Sequence, residues 1–383
     1  MRVGYLLLDP GIEVFGIKGA SVHVQEIVRA LREGGHHVSV FCTRRGSHVP
    51  DDLGDLDVRH LPLPSVAGPA EREKEIAAAA ARVAEAVTRD GFDLLLERYS
   101  LFSDAGAQAR ERFREAGVAV PLVLEVNSPL IDEQQTHRTL VDASAAEQAT
   151  ARQLDAATAV VCVSEPVAAW AAARCAAPGR IHVLPNGVNT DRIRPRRSPP
   201  SATSGPVTVG FAGTLKPWHG TDVLLRALAR TTSDLRLEIL GTGPELAQLV
   251  DLADELGIAD RVRFLGAVAP ADVPGILQGF DLAVAPYPAG PHYFSPLKVY
   301  EYLAAGLPVV ASAIGTLPEV LEQGRLGELV PPGDVAALAR RLDMLARDPA
   351  RREAIGRRAR EAAVTQHTWR ARCEQLLGAV GTT

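Results

Sequence analysis

The clearest chemical signal lies in the stretch HYFSPLKVYEYLAAGLPVVAS, residues 292–312. Ser295 and Pro296 predict the start of a helix, and Gly306 predicts its end. Lys298 then lies in the first turn, where the unpaired amide groups already carry partial positive charge. A cation at this position becomes favourable when an anion binds between it and the amides, so the pattern indicates a phosphate site.

Two further loops in the same half of the chain have related character. The sequence GTLKPWHG places Lys216 between Gly213 and Gly220, and GTGPEL contains Gly241 and Gly243. Glycines let a backbone approach a ligand closely, and lysine supplies a compact positive charge. The chain has only four lysines among its 41 basic residues, so two of the four belong to this phosphate-binding pattern.

Glu301 follows Lys298 by three positions, which places both side chains on one face of the predicted helix. A carboxylate behind a phosphate site can accept hydrogen bonds from ribose hydroxyls. A nucleoside diphosphate is therefore the ligand that these residues indicate. A surface ion pair worth about 0.2–0.5 kcal/mol is the alternative interpretation of Lys298 and Glu301.

Buried parallel strands are needed to bring these loops to one sheet edge, where ligands of open α/β sheets bind. Apolar runs typical of such strands occupy residues 2–8, 37–43, 93–99, 121–127, 159–164, 207–213, 236–241, 262–268, 281–287 and 308–312. Helical spacing occupies residues 20–34, 71–90, 101–116, 132–155 and 350–380. This alternation predicts an α/β protein with two Rossmann-like parallel-sheet domains.

The Pro-, Ser- and Arg-rich stretch DRIRPRRSPPSATSGP predicts a linker at residues 191–206. It separates an N-terminal domain, residues 1–190, from a C-terminal domain, residues 207–365. The last segment, residues 366–383, is predicted to form a closing helix that can return to the first domain.

The composition limits the possible functions. A formal net charge of −5 gives no basis for a nucleic-acid partner. The four cysteines are scattered, so neither a metal site nor a disulfide framework is predicted, and reduced thiols favour the cytoplasm. No apolar run reaches the roughly 20 residues of a membrane helix. Weak peripheral association with a membrane stays open.

Several motifs resemble glycosyltransferase family 4. These are VGFAGTLKPWHGTDVLLRAL, ILGTGPEL, SPLKVYEYLAAGLPVVAS and IGTLPEVLEQGRLGELVPPGD in the second half, with HVLPNGVNTDRIRP at the hinge and KGASVHVQEIVRALREGGHHVSVFCT in the first half. The resemblance implies the GT-B fold, with two facing domains and a cleft between them. It also implies retaining transfer from a nucleotide-diphosphate sugar, with a UDP-sugar favoured, to a soluble small molecule or glycan precursor. No metal or other cofactor is implied.

The resemblance implies that Lys216, Lys298 and Glu301 are the catalytic residues. The predicted donor-binding residues are Gly19, Gly213, Thr214, His219, Gly241, Gly243, Tyr293, Ser295, Pro296 and Leu297. The predicted acceptor-binding residues, most of which follow strands of the first domain, are Lys18, His23, Glu97, Arg98 and Asn127. In the retaining route that the family implies, the leaving diphosphate oxygen takes the acceptor's proton.

The sequence departs from the family pattern at several of these positions. Tyr293 stands where the family often has the first of two glutamates, and Asn127 stands where a histidine is expected. Thr214 and His219 replace an arginine and a lysine, and His219 can replace a lysine only when it is protonated. These changes leave the sugar and its contacts open.

The alternatives to a retaining transferase are an inverting transferase, a sugar-nucleotide epimerase, a dinucleotide oxidoreductase and a non-catalytic protein that binds a nucleotide sugar. His23 could act as the base of an inverting transferase, although it also fits plain helix packing. A sugar-nucleotide epimerase could share the architecture and the donor site. A dinucleotide oxidoreductase is disfavoured, because DPGIEVFGIKGAS lacks the G-x-G-x-x-G spacing after the first strand.

Overall fold

The computed structural model describes residues 1–197 and 205–381, which form two compact α/β units. The first unit comprises Met1–Asn186, Tyr293–Ser295 and the residues from Trp369 onward. The second comprises the described residues of Gly187–His292 together with Pro296–Thr368. The predicted linker lies partly outside the described residues, and its first part belongs to the second unit.

The first unit is built on a seven-stranded parallel sheet with the order β3-β2-β1-β4-β5-β6-β7. Its strands are β1 Arg2–Leu7, β2 His37–Cys42, β3 Asp57–His60, β4 Leu94–Arg98, β5 Leu122–Val126, β6 Ala159–Cys162 and β7 Ile181–Val183. Its helices before the second unit are α1 Gly19–Glu33, α2 Pro69–Asp90, α3 Ala105–Glu115, α4 Leu130–His137, α5 Ala143–Ala156 and α6 Glu165–Ala172.

The second unit is built on a six-stranded parallel sheet with the order β10-β9-β8-β11-β12-β13. Its strands are β8 Val207–Ala212, β9 Leu235–Leu240, β10 Val262–Gly266, β11 Leu282–Ala285, β12 Val309–Ser312 and β13 Gly327–Val330. Its helices are α7 Thr221–Arg230, α8 Leu246–Glu255, α9 Val273–Leu277, α10 Leu297–Ala304, α11 Leu317–Val320, α12 Val335–Arg347 and α13 Pro349–Gln366.

The closing segment is two helices rather than the single one predicted over residues 350–380. α13 ends at Gln366, and α14, Trp369–Gly378, follows it and packs against α1 in the first unit. The side chains of Trp369, Leu376 and Leu377 are buried there.

The helix predicted over residues 132–155 is divided into α4 and α5. Arg138 has an extended backbone, which ends α4. Asp142 caps α5 by accepting from Ala145 N at 2.8 Å. Glu73, buried on α2, accepts hydrogen bonds from Val141 N and Asp142 N at 2.8 and 3.0 Å and so fixes this turn.

Candidate active site

The loops that follow β8 and β9 are held together by their backbones at the carboxyl edge of the second sheet. Leu215 N donates to Thr242 O at 3.0 Å. A Cβ atom at Gly241 or Gly243 would overlap the backbone of the β8 loop, at Gly213 and Leu215 respectively. These two glycines therefore serve the close packing of one loop on another, a role that the sequence pattern does not predict.

Helix α10 is tied to the end of β8 by one buried hydrogen bond. The backbone N–H of Ala212 donates to the hydroxyl of Tyr302 at 2.7 Å, and the Tyr302 side chain is fully buried. This bond fixes the orientation of α10 relative to the sheet, and therefore the position of Lys298 in its first turn.

Lys298 places its ammonium group beside the β8 loop. The Nζ atom lies 4.3 Å from the centroid of the Phe211 ring and 5.4 Å from that of Tyr287. A Cβ atom at Gly213, where φ is +147°, would lie 2.6 Å from this Nζ. The Nζ atom is inaccessible to solvent and has no hydrogen-bond partner among the described residues.

The charged form of Lys298 is therefore incompletely stabilised. Burial lowers the pKa of Lys298 to about 7, and the nearby negative charge of Glu301 only partly opposes this effect. An isolated buried ammonium group is costly unless an anion or hydrogen-bond acceptors accompany it. The position thus has the properties of an anion-binding group.

His219 lies next to this group and is neutral. Its Nδ1 is bonded to the carbonyl oxygen of Thr214, so Nδ1 carries the proton. Burial and the positive charges of Lys298 and Lys216 lower the pKa of His219 to about 3. His219 could replace a lysine only if its ring were protonated, and in this structure the ring is neutral.

Lys216 belongs to the same edge of the sheet. Its Nζ lies 4.6 Å from the centroid of the Trp218 ring, and Trp218 is 40% exposed. The Trp218 ring that Lys216 contacts lies 6.3 Å from the His219 ring. Lys298 and His219 lie against the same two rings, Phe211 and Tyr287, so both lysines lie near His219. The phosphate-binding pattern predicted from the sequence is thus assembled in one place.

The prediction that Ser295 caps α10 is wrong. The cap position is taken by Pro296, α10 begins at Leu297, and no side chain caps it. Ser295 belongs to the first unit, where its hydroxyl accepts from Asn186 N at 2.9 Å and its carbonyl accepts from Asn186 Nδ2 at 2.8 Å.

Tyr293 also lies in the first unit, although it was predicted to bind the donor with residues of the second. Its hydroxyl donates to Glu133 on α4, and its carbonyl oxygen accepts from the hydroxyl of Ser164. The contacts of Tyr293 and Ser295 thus belong to the first unit, whereas Pro296 and the helix that follows it belong to the second.

His23, the predicted alternative base, is buried in the first unit and already engaged. Its Nε2 is paired with a carboxylate oxygen of Glu125 on β5. The edge of its ring meets Trp369 of α14, with centroids 4.8 Å apart. With 2% of its surface exposed, His23 is placed to join α1, β5 and α14.

Arg98, at the end of β4, and Asn127, directly after β5, lie on the same side of the first sheet as Glu125. Arg98 Nη1 lies 3.6 Å from Glu125 Oε2, and Tyr5 donates to that oxygen at 3.3 Å. Burial disfavours the charged form of Glu125, but His23 and Arg98 outweigh it and lower its pKa to about 2. Arg98 Nη1 and Asn127 Nδ2 make no short hydrogen bond among the described residues, and both groups help to lower the pKa of Glu125.

Glu97 points to the opposite face and does not line an accessible surface. Successive residues of a strand alternate in direction, so Glu97 and Arg98 cannot share one pocket. Glu97 is fully buried, and its Oε2 accepts from Gly106 N at 3.1 Å at the start of α3. Its predicted role in acceptor binding has no support from this position.

Lys18 and Gly19 stand at the exposed start of α1. Lys18 is the cap residue, and its side chain makes no capping hydrogen bond. Both residues are exposed, as a loop that meets a ligand requires. Their roles in ligand binding stay predictions.

Sequence reasoning did not single out the aromatic rings that surround the lysine. Phe211 is the fifth residue of β8, and Tyr287 follows β11 by two positions. Aromatic residues at the carboxyl ends of strands were the available signal.

Within the described ranges 1–197 and 205–381, no group of three or more His, Cys, Asp or Glu side chains is arranged to hold a metal ion. No helix in that part of the chain is long and apolar enough to cross a membrane.

Comparison with solved structures defines the class of protein. Sucrose-phosphate synthase (tll1590) from Thermosynechococcus elongatus superposes with a TM-score of 0.76 at 20% identity, covering 98% of this chain and 97% of that chain. Anabaena Alr3699/HepE in complex with UDP-glucose superposes with a TM-score of 0.74 at 21% identity, covering 100% of both chains. With its two parallel-sheet α/β units, the protein has the GT-B fold, as predicted.

Sequence comparison then gives the family. Residues 17–192 match the model of Glycosyltransferase Family 4, and residues 194–362 match that of Glycosyl transferases group 1. The D-inositol 3-phosphate glycosyltransferase of Mycobacterium leprae (strain Br4923) is 32% identical over 371 residues, covering 89% of this chain and 82% of that protein. The chain belongs to glycosyltransferase family 4 and is a glycosyltransferase, which confirms the resemblance.

Proposed function

We propose that this glycosyltransferase moves a sugar from a nucleotide-diphosphate sugar, a UDP-sugar first among them, to a small-molecule or glycan-precursor acceptor with retention, and without a metal or other cofactor. The observation that carries the proposal is the ammonium group of Lys298, which is buried without a hydrogen-bond partner beside Gly213. A phosphate oxygen is the acceptor that such a group needs.

The surrounding residues fit a diphosphate better than a single phosphate. Lys216 and Lys298 act on one region, and the first turn of α10 adds unpaired amide groups. Glu301 lies one turn further along the same helix, within reach of a ribose if the phosphates lie at the helix start. This combination supports a nucleotide whose phosphates meet the two lysines.

The chemistry that we propose follows from this arrangement. The bond between the anomeric carbon and the diphosphate oxygen breaks, and a bond from that carbon to an acceptor hydroxyl oxygen forms. The acceptor's proton goes to the departing diphosphate oxygen. Lys216, Lys298 and the start of α10 would stabilise the negative charge that develops on the leaving group.

The choice of substrates to test first comes from the relatives. The HepE structure is a complex with UDP-glucose, which favours a uridine donor here. The M. leprae relative is named for D-inositol 3-phosphate, so a small phosphorylated polyol is a reasonable first acceptor.

Retention is favoured over the inverting alternative by the position of His23. A catalytic base must reach the hydroxyl proton that it abstracts. His23 is buried, and its Nε2 is paired with Glu125, so this nitrogen is not presented to an acceptor.

The direct test is a donor screen followed by product analysis. The melting temperature of the protein is measured with UDP-, GDP-, ADP- and TDP-sugars, because a ligand at a hundredfold excess over its Kd stabilises by about 2.7 kcal/mol. We expect a selective rise with UDP-sugars. Transfer to inositol phosphates and simple polyols is then followed by NMR, which reports the anomeric configuration of the product.

A glycine substitution tests whether a donor found in the screen binds at the proposed site. Gly213→Ala puts a methyl group 2.6 Å from Lys298 Nζ and should weaken UDP-sugar binding about tenfold or more. Gly257→Ala is the matched control, because it also has a positive φ, +66°, but has nothing within 4 Å. Equal donor affinity in the two variants would contradict the proposed site, and a β-linked product from an α-linked donor would contradict retention.

A further inference from the structure

We propose that donor binding is coupled to the uptake of a proton by a pair of nitrogen bases, Lys298 Nζ and His219 Nε2. The inference rests on the proposed function, because it takes the diphosphate of a nucleotide sugar as the anion at this site. It adds a property that neither the fold nor the relatives imply. The proton comes from the solvent, and no covalent bond of the donor changes in this step.

The two bases share one environment. Lys298 Nζ and the His219 ring lie against the same two aromatic rings, Phe211 and Tyr287. The distances from Nζ to the ring centroids are 4.3 and 5.4 Å, and those from the imidazole centroid are 6.4 and 5.9 Å. Both bases also contact consecutive residues of one loop, Nζ at Gly213 and Nδ1 at Thr214.

The hydrogen-bonding state of each base is unsuited to an anion before the donor binds. The Nδ1–H of His219 donates to the Thr214 carbonyl oxygen, so Nε2 of the neutral ring has only a lone pair. That lone pair would face phosphate oxygens, which also carry lone pairs. Protonation turns Nε2 into a donor, and it likewise completes the ammonium group of Lys298.

Burial, with a smaller contribution from neighbouring charges, explains why the proton is absent in the free protein, because burial is the largest effect that lowers both pKa values. Lys216, on the loop between β8 and α7, and His292, on the loop between β11 and α10, lower the pKa of His219 together with Lys298. On α10, Glu301 is the nearby negative charge that acts on Lys298, and Tyr287 stays neutral because burial raises its pKa. With the pKa of Lys298 about 7 and that of His219 about 3, two positive charges are avoided until an anion arrives.

A bound diphosphate raises the pKa of both bases, because its negative charges favour their protonated forms. Donor affinity should then depend on pH by linkage. Above about pH 7, where free Lys298 is mostly neutral, each pH unit should weaken binding by up to about tenfold. Below that pH the remaining uptake belongs to His219.

The experiment is titration calorimetry with UDP-glucose, whose diphosphate has no group that titrates near neutral pH. Binding is measured at about pH 8 and about pH 6, each in several buffers that differ in ionisation enthalpy, so that the slope of apparent enthalpy gives the protons taken up. We expect uptake approaching one proton at the higher pH. Lys298→Arg should reduce it to near zero, since arginine stays charged.

His219→Gln separates the second base from the first. It should remove the uptake that persists at about pH 6 while leaving most of the uptake at about pH 8. Lys74→Arg, at an exposed position on α2, is the control and should match the wild type at both pH values. If Lys298→Arg does not fold, Lys298→Met and the pH dependence of the wild-type Kd test the same point.

The outcomes separate the inference from the function. Binding of UDP-glucose with an enthalpy independent of the buffer at both pH values would overturn the inference and leave the donor site intact. If UDP-glucose is not bound, the titration is repeated with GDP-, ADP- and TDP-sugars. Failure of all four to bind would overturn the proposed function, and the inference with it.

Discussion

At the scale of single residues, Lys298 and Glu97 are two buried ionisable groups with opposite surroundings. Lys298 lies at a helix start, where a ligand can supply its missing partner. Glu97 lies beneath α3, where its Oε2 accepts from Gly106 N and its Oε1 has no hydrogen-bond partner within residues 1–197 and 205–381. Burial raises the pKa of Glu97 to about 8, so this carboxyl group is mostly protonated at neutral pH.

Glu97 should make the first unit less stable as the pH rises. The unfolded chain ionises this group near pH 4.5, whereas the folded protein keeps its proton up to about pH 8. Between these values stability falls with pH, by up to about 1.4 kcal/mol per unit. Glu97→Gln cannot ionise and should flatten this slope, as measured by urea unfolding between about pH 5 and pH 8.

Parallel pH profiles for the wild type and Glu97→Gln would contradict this assignment. Glu71→Gln is a suitable comparison, because Glu71 is exposed on α2 and its substitution should leave the wild-type slope unchanged.

The convergence of Lys216, His219 and Lys298 could be predicted from the sequence, because each follows a strand of one parallel sheet and such strands end at one edge. The rings of Phe211 and Tyr287 could not, because ring orientation depends on packing between elements that are distant in sequence. For the same reason the sequence did not show that Ser295 bonds Asn186 instead of capping α10.

At the scale of elements, the site depends on how α10 is fastened to β8. The bond from Ala212 N to the Tyr302 hydroxyl joins residues 90 positions apart in the sequence. It is buried, so its loss would leave a backbone N–H without a partner.

Tyr302→Phe should therefore cost about 1–3 kcal/mol of stability and also weaken donor binding. The ring is retained, so the cost isolates the hydroxyl group. Melting temperature and UDP-sugar affinity are measured on the same preparation. An unchanged melting temperature would show that water or a shifted backbone satisfies Ala212 N.

The strands that sequence periodicity missed are β3, β7 and β13, and all three lie at sheet edges. β3 reads DVRH and has one exposed face, and β7 has three residues. β3 and β7 are covered less completely than the central strands, so they need no continuous apolar run. β13 is mostly buried, but its four residues, GELV, include a glycine and a charged residue and so form no apolar run. The central strands, buried on both faces, were predicted correctly from such runs.

At the scale of the whole molecule, neither unit is a continuous stretch of chain. The first unit contains Tyr293–Ser295 and α14 in addition to its N-terminal part. α14 covers α1, and Trp369 lies against His23 with 5% of its surface exposed. The last helix is therefore part of the core of the first unit.

Trp369→Ala should destabilise the protein by about 3–5 kcal/mol, because a large buried side chain is lost. Arg370→Ala, whose side chain is 74% exposed, should have little effect. Thermal unfolding monitored by circular dichroism compares the two variants. Similar melting temperatures would mean that the packing of α14 contributes little to the first unit.

The discontinuity of the units also sets a rule for recombining this enzyme with its relatives. A hybrid made with one crossover near residue 187 would take α14 and Tyr293–Ser295 from the wrong parent. Helix α1 would then meet a foreign partner in place of Trp369, and Asn186 would lose the Ser295 with which it pairs. Successful hybrids should exchange the N-terminal part, the short loop and the final helix as one set.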